Sequence, residues 1–550
     1  MDLQKVRVLL FMGITFLGVM LYGAWQKEHA QFAQEAVKSA PAGMDAPMAV
    51  ASQMTSAKSD IPTLHAGVQP EHIEDTSGRL VEVSTEALSI KIDRRGGDIV
   101  YAALLDYPLE QSEPEAPFVL LDSSVDRLYL AQSGLIGDMA PDAPNEGRGV
   151  YETAEVENHI DGSVSVKLVW DAPSGDARVT KQFQFPSHGY LVDVSYRVDN
   201  LGDNPWTATP YFQFKRTPTE KKKTGMLGLQ TFQGAAISTP EKRYQKLSYE
   251  KMKDKPVNKT VEGGWAAMVE HYFLSAWVPL QDAHLRYFSR GDQHNHYYVG
   301  FVAEPIDVKP KESQTARAQL YLGPEITDEL RQIAPGLELT VDYGVLWPIS
   351  QLLFWFLKHA HDLLGNWGFS IIAVTMLVKL AFYRLSAASY RSMGNMRKLQ
   401  PRINQLKADC GEDKQRFSQE VMELYRREKI NPLGGCLPIL IQIPVFIALY
   451  YVLLESVELR HAPFVLWIQD LSAHDPYYVL PILMGLSMLL QQRLNPAPPD
   501  PIQARVMMLM PIVFTVLFMN FPAGLVLYWF MNNLLSMLQQ WVIMRKIERA

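Results

Sequence analysis

Apolar positions along this chain change their spacing several times, and each change marks a different kind of structure. From Val8 to Trp25 they run without a charge behind Lys5 and Arg7, long enough to cross a bilayer core. A cleaved signal peptide competes with that reading. Tyr22-Gly23-Ala24-Trp25-Gln26-Lys27 offers no small-x-small cleavage site, however, so residues 1–25 are expected to remain as an anchor. Residues 26–77 are rich in Ala, Pro, Met, Ser, Gln and acids and have no period. They cannot bury enough surface to offset chain entropy, which predicts a flexible tether. Across 78–342 apolar and polar residues alternate: Leu88, Ile90, Ile92; then Val164, Val166, Leu168, Trp170; then Val192, Val194, Tyr196, Val198. A period of two places each set on one face of a strand. Arg95-Gly96-Gly97-Asp98, Asp161-Gly162 and Pro173-Ser174-Gly175 supply turns between the runs, and a large antiparallel β-sandwich is expected.

The pattern turns helical after Asp342. Val345 to Leu357 is apolar but too short to span, Pro348 suits a first helical turn, and Trp347 and Trp355 can anchor at headgroup level. An amphipathic helix lying in the membrane interface is expected at 343–362; a core helix of the soluble domain is the alternative. Leu363 to Tyr383 then carries Lys379 as its one charge, and Asn431 to Leu454 and Pro476 to Gln492 carry none. Val506 to Met544 is uncharged over 39 residues, far more than the roughly 20 one span needs, and breaks at Asn520-Phe521-Pro522-Ala523-Gly524. Spans are therefore expected at 363–385, 431–455 and 476–492 and twice within 506–544, making six with the anchor. Between the first two of these, residues 386–430 place Met393, Met396, Leu399, Ile403, Leu406 and then Phe417, Val421, Leu424 at helical spacing about a turn at Cys410-Gly411. An antiparallel helical hairpin is expected, the alternative being a solvated loop whose charges only fix orientation.

Charge sets the orientation. The net charge of −7 excludes the broad positive field of a nucleic-acid binder, so no specific nucleic acid is expected as a partner. Locally the balance reverses: 386–431 holds ten Lys and Arg, including Arg397, Lys398, Arg402, Arg426 and Arg427, whereas the loop 456–475 has Arg460 alone. Basic loops stay cytoplasmic. The hairpin, the loop 493–505, the tail 545–550 and both termini then face the cytoplasm, and the sandwich and the loop 456–475 face the periplasm. Only two cysteines occur, Cys410 and Cys436, so disulfides cannot hold the sandwich and its core must.

Lys379 is the sharpest chemical feature, because a charge inside a span costs roughly 2.5–3.5 kcal/mol and usually faces a hydrated cavity. Snorkelling toward headgroups is the competing reading, since it lies five residues from Arg384. Thr375, Gln442, Ser487, Asn532, Asn533 and Gln539 are further polar residues within spans; they either line a hydrated interior or form ordinary interhelical hydrogen bonds. Pro432, Gly434, Gly435, Pro438 and Pro444 open the packing of the third span, and frequent methionines suit varied apolar partners. No phosphate loop, His-Glu-x-x-His or Gly-x-Ser-x-Gly occurs, and His294 and His296 beside Asp292 read as a surface turn. Neither an enzyme nor a cofactor or metal is expected.

Gly365-Asn366-Trp367-Gly368-Phe369-Ser370, Asn431-Pro432-Leu433-Gly434-Gly435-Cys436, Gln442-x-Pro444 and Phe521-Pro522-Ala523-Gly524-Leu525-Val526-Leu527-Tyr528-Trp529, in that order, closely resemble the YidC/Oxa/Alb family of membrane protein insertases in its Gram-negative subgroup. The resemblance covers about Val345 to Met544, with the anchor and large outer domain matching in layout. It implies a five-helix insertase core around a hydrophilic groove, open to cytoplasm and lipid, in which nascent membrane proteins are inserted and folded without nucleotide hydrolysis. Within that groove the resemblance assigns Lys379, Thr375, Gln442, Tyr528, Trp529 and Asn533. Lys379 stands where the family usually has Arg, and Trp529 where it usually has Tyr. Implied partners are the Sec translocon with its SecDF complex, ribosomes at the cytoplasmic loops and short tail, and membrane lipids. Two other classes compete: a polytopic small-solute transporter, for which no inverted repeat is visible, and a tethered carbohydrate-active enzyme of the mutarotase fold.

Overall fold

The computed structural model describes residues 79–549 apart from 125, 144–146, 219–230, 412, 429–436 and 495–500. The expected anchor and tether, and Pro432, Gly434 and Gly435, lie outside the described residues.

Two sheets face each other in the first half. One runs, in order of neighbours, Leu80–Ser84, Leu88–Asp93, Asp98–Pro108, Pro117–Ser123, Leu128–Ile136, Trp206–Arg216, Tyr297–Val302, His284–Gly291 and Asn258–Glu262. The other runs Lys242–Leu247, Gln233–Thr239, Trp265–Glu270, Phe273–Pro279, Ser313–Pro324, Leu191–Asn200, Ala177–Phe185, Val164–Asp171 and Thr153–Asn158. Their pairings are antiparallel; a short parallel bridge joins Ile136 to Asp142. The alternating residues do what their period predicts: Leu88, Ile90, Ile92, Val166, Leu168, Val192, Val194, Tyr196 and Val198 are buried between the sheets. Trp170 is only half-buried, near the end of its strand. Gly96, Gly97, Gly162 and Gly175 take left-handed φ of 61° to 80° in the expected turns, where a side chain would be strained. Asp292 accepts from the backbone N–H of His294 and of His296 and bonds the His296 ring at 3.1 Å, a closed surface turn.

Helices follow: α1 (Trp347–Leu364), α2 (Trp367–Ala381), α3 (Tyr383–Lys398), α4 (Gln400–Cys410), α5 (Lys414–Arg427), α6 (Leu437–Glu455), α7 (Val479–Leu494), α8 (Pro501–Phe518) and α9 (Ala523–Arg549). The break between α8 and α9 falls where the Asn520–Gly524 interruption predicts it. Three boundaries differ from expectation. The helix expected to end near residue 385 stops at Ala381, and α3 leaves it at 68°. The one expected from Pro476 starts at Val479, because the Asp475 carboxylate takes the N–H groups of Tyr477 and Leu480 and the Trp467 indole, turning the chain first. The hairpin is also shorter than its apolar spacing suggests. Leu399, Ile403, Val421 and Tyr425 form its core, whereas Met393 packs with Ala387, Tyr390 and Ile543. The arms are thus α4 and α5, and most of α3 belongs to the bundle.

Among the described residues no single helix is long and apolar enough to cross a membrane alone. The bent pair α2–α3 passes that test together, and Ile441–Glu455, Val479–Leu494 and Arg505–Phe518 are shorter apolar helices. Helix α1 buries Ser350, Leu353, Phe354 and Leu357 against the bundle and turns Trp347, Leu352 and Trp355 outward. That outward stripe is what an interfacial helix needs.

Sandwich and bundle meet around the end of α6. The His271 ring bonds the Leu454 carbonyl at 2.7 Å, Arg460 donates to the Pro108 and Leu109 carbonyls, and Lys358 of α1 pairs with Asp328.

Candidate functional site

Lys379 sits in the last turn of α2, where a cation opposes the partial negative charge of the helix C-terminus. Its neighbours Val378 and Phe382, with Leu385 and Ser386 of α3 and Ile441, Gln442 and Val445 of α6, line a cavity that the 68° bend leaves between the helices. The wall is apolar except for Lys379, Ser386 and Gln442. The ammonium, half-buried, does not extend freely; it donates to the Ser536 hydroxyl of α9 at 2.7 Å. Gln442 donates to the Tyr528 hydroxyl, tying α6 to α9 beside the same space.

The other residues assigned from sequence lie deeper. Thr375 is buried and its hydroxyl donates to its own helix at Ile371 O, 2.6 Å, so it does not line the cavity. Asn533 is buried and donates to Ser487 of α7 at 3.0 Å. Trp529 belongs to an aromatic cluster with Phe446, Phe514 and Phe518, centroids 4.7–6.4 Å away, and its buried indole N–H has no hydrogen-bond partner among the described residues. Lys379 and Gln442 are thus the assigned residues that share the cavity, and Tyr528 joins them through Gln442. Ser386 and Ser536 were missed by sequence reading. A signal for Ser536 existed: Asn532, Asn533, Ser536 and Gln540 recur at spacings of three and four, and all four are buried. Among the described residues no three His, Cys, Asp or Glu are placed to hold a metal ion.

A family model described as the 60Kd inner membrane protein matches residues 359–550, and one described as the YidC periplasmic domain matches 80–356. A membrane protein insertase YidC from Azotobacter vinelandii is 46% identical over 557 residues, covering 100% of this chain and 99% of that one. The chain belongs to the YidC family of membrane protein insertases. A second member, from Legionella pneumophila, is 45% identical over 560 residues, covering 99% and 97%. A solved structure of an active YidC insertase with its first transmembrane domain resolved aligns over 84% of this chain and 92% of that one at 18% identity, with a TM-score of 0.40. The YidC sandwich and helical region meet here between 356 and 359, inside α1.

The Gly365–Ser370 and Phe521–Trp529 motifs have local physical reasons. Gly365 ends α1 in a left-handed conformation, Asn366 caps α2 by accepting from Phe369 N–H, and its amide donates to the Phe464 carbonyl. A Cβ on Gly368 would lie 2.0 Å from the Phe464 ring. Together they fix the corner that aims α2, and Lys379, at the cavity. At the start of α9 the N–H groups of Ala523 and Gly524 donate to Ala473 and Leu471 carbonyls, which fixes where Tyr528 and Ser536 fall. In the hairpin region Arg397, Lys398, Arg402, Arg426 and Arg427 are all exposed, and Arg402 pairs with Glu428 at 2.8 Å.

Proposed function

We propose that this protein inserts, folds and helps assemble inner-membrane proteins by receiving their hydrophobic segments at the cavity between α2, α3, α6 and α9. It crosses the membrane six times with both termini cytoplasmic, uses no nucleotide hydrolysis, and acts alone or beside the Sec translocon and its SecDF complex. The basic faces of α4 and α5 meet ribosomes or the incoming client from the cytoplasm. The single observation that carries this reading is the cavity itself: one cation in a wall that is apolar but for Ser386 and Gln442, and an opening at a helix bend. An ammonium held there attracts acidic residues in a client's translocated segment and keeps water in a thinned part of the bilayer. Lysine acts as a point charge, so the planar fork of arginine is not required.

The test compares insertion of a small acidic-tailed client and its neutralised version by Lys379→Arg, Lys379→Ala and Lys379→Glu at matched expression. Arg should work for both clients, Glu should fail for the acidic one, and the neutralised client should suffer less. Equal insertion of both clients by the Ala and Glu variants would remove the charge-attraction role and leave Lys379 as an anchor.

A further inference from the structure

We propose that Ser536 is the positioning residue for Lys379: its hydroxyl, turned into a pure acceptor by its own helix, holds the ammonium inside the cavity until a client carboxylate displaces it. This rests on the charge-attraction reading of Lys379. A serine hydroxyl has one proton and two lone-pair positions. The proton is committed, because Ser536 Oγ donates to the Asn532 carbonyl at 2.7 Å. Both lone pairs are therefore free to accept, and one takes the Lys379 ammonium at 2.7 Å. The residue is 3% exposed, so water does not compete for the oxygen.

Without that acceptor a long, flexible lysine in an end turn has a cheaper place to go. Its stem reaches toward headgroups, and the charge leaves the cavity. With it, α2 and α9 meet at one oxygen, through Lys379 and through Ser536 itself. The bond is also weaker than what a client offers. A hydroxyl is a neutral acceptor, whereas a pair in which both partners are charged is stronger and shorter, so an arriving carboxylate exchanges with Ser536 instead of competing with a resident counter-ion. Among the described residues no carboxylate pairs with Lys379. A neutral latch holds the cation in place without neutralising it, which a resident Asp or Glu would do.

The experiment measures insertion of the acidic-tailed client and its neutralised version by Ser536→Ala, Ser536→Thr and Ser536→Asp, each in the Lys379 and Lys379→Ala backgrounds at matched expression. Ser536→Ala should lower insertion of the acidic client roughly ten- to a hundredfold, the scale of one hydrogen bond to a charged group, and leave the neutralised client unchanged. Thr, which keeps the acceptor, should restore it. Asp, which captures the ammonium as an internal ion pair, should abolish the acidic client's dependence on Lys379. In the Lys379→Ala background Ser536→Ala should add nothing. Equal losses for both clients, no rescue by Thr, or an undiminished Ser536→Ala effect without Lys379 would each overturn the proposal, pointing to helix packing. A failure of the parent reading is separate: it shows in the Lys379 variants themselves, whatever Ser536 does.

Discussion

The sandwich and the helical bundle both bury cations, and they treat them oppositely. Inside the sandwich Arg148 pairs with Asp98 and with Asp142 at 2.7 Å, and Lys181, fully buried, donates to the Gly96, Gly97 and Ser133 carbonyls at 2.7–3.2 Å. Burial nevertheless pushes the Lys181 ammonium down to about 7, against the pull of Asp98. Those charges are used up by the fold. Breaking such a network strands an uncompensated charge, which is why it specifies one packing and offers nothing to a visitor. In the bundle Lys379 has a neutral hydroxyl and, among the described residues, no counter-ion. The difference teaches that a cation enclosed by carboxylates and carbonyls is already matched within the fold, whereas one held by a hydroxyl beside a cavity is not. One hydrophobic core runs from the sandwich into the bundle, where Leu357, Ile371, Val374, Ala448, Leu453 and Leu525 continue it; the sandwich adds strand ladders, the bundle close helix approach and polar contacts between helices.

The strongest way to break this contrast is to damage the sandwich core. Trp277 is buried, its indole donates to the Gln213 carbonyl of the facing sheet at 3.1 Å, and it packs on Phe212 and Phe214. Trp277→Ala should destabilise the sandwich by about 3–5 kcal/mol, read as lost amide-exchange protection in its strands, while α2, α6 and α9 keep theirs. Protection lost equally in both regions would show that they fold as one unit.

The junction sharpens the comparison next. Glu458, in the turn after α6, is pushed up to about 7, mainly by burial and further by Asp328 and Glu329, with Lys358 opposing. A carboxyl raised above its unfolded value of about 4.5 favours the folded state below that pH, and the advantage disappears as pH climbs to about 7. The parent protein should therefore lose stability across that window. Glu458→Gln, which cannot ionise, should remove the slope and gain up to about 3 kcal/mol at pH 8 relative to pH 4, as measured by thermal unfolding at a series of pH values. A slope that persists in the Gln variant would assign the dependence elsewhere, with Glu325 the next group to test because burial and the charges of Glu455 and Asp342 hold it well above the usual range.

The smallest expected effect tests close helix approach. A Cβ on Gly485 of α7 would stand 1.9 Å from Thr515 Oγ1 of α8, and that hydroxyl is held by the Pro511 carbonyl at 2.7 Å. Gly485→Ala should destabilise the bundle by about 1–2 kcal/mol, and adding Thr515→Ala should recover most of it. No recovery in the double variant would place the cost in the glycine's own backbone.

Much of this architecture was legible in local pattern. Alternation at Leu88–Ile92 and Val192–Val198 declared strands with the correct buried face, since a period of two depends only on neighbouring residues. The interruption at Asn520–Gly524 declared two helices, and the basic stretch after Lys379 declared a hairpin. The anomalous lysine stood out because an apolar run makes any charge conspicuous. What the sequence could not settle is which distant group each element meets. Strand Leu128–Ile136 pairs with Trp206–Arg216 across a long excursion into the other sheet. Met393, expected in the hairpin, packs instead with Ile543, far along the chain. Ser536, 157 residues from Lys379, shares a polar stripe with Asn532, Asn533 and Gln540, but only the fold sets it 2.7 Å from the ammonium. Periodicity reports the face a residue turns inward; only packing in three dimensions decides what waits on that face.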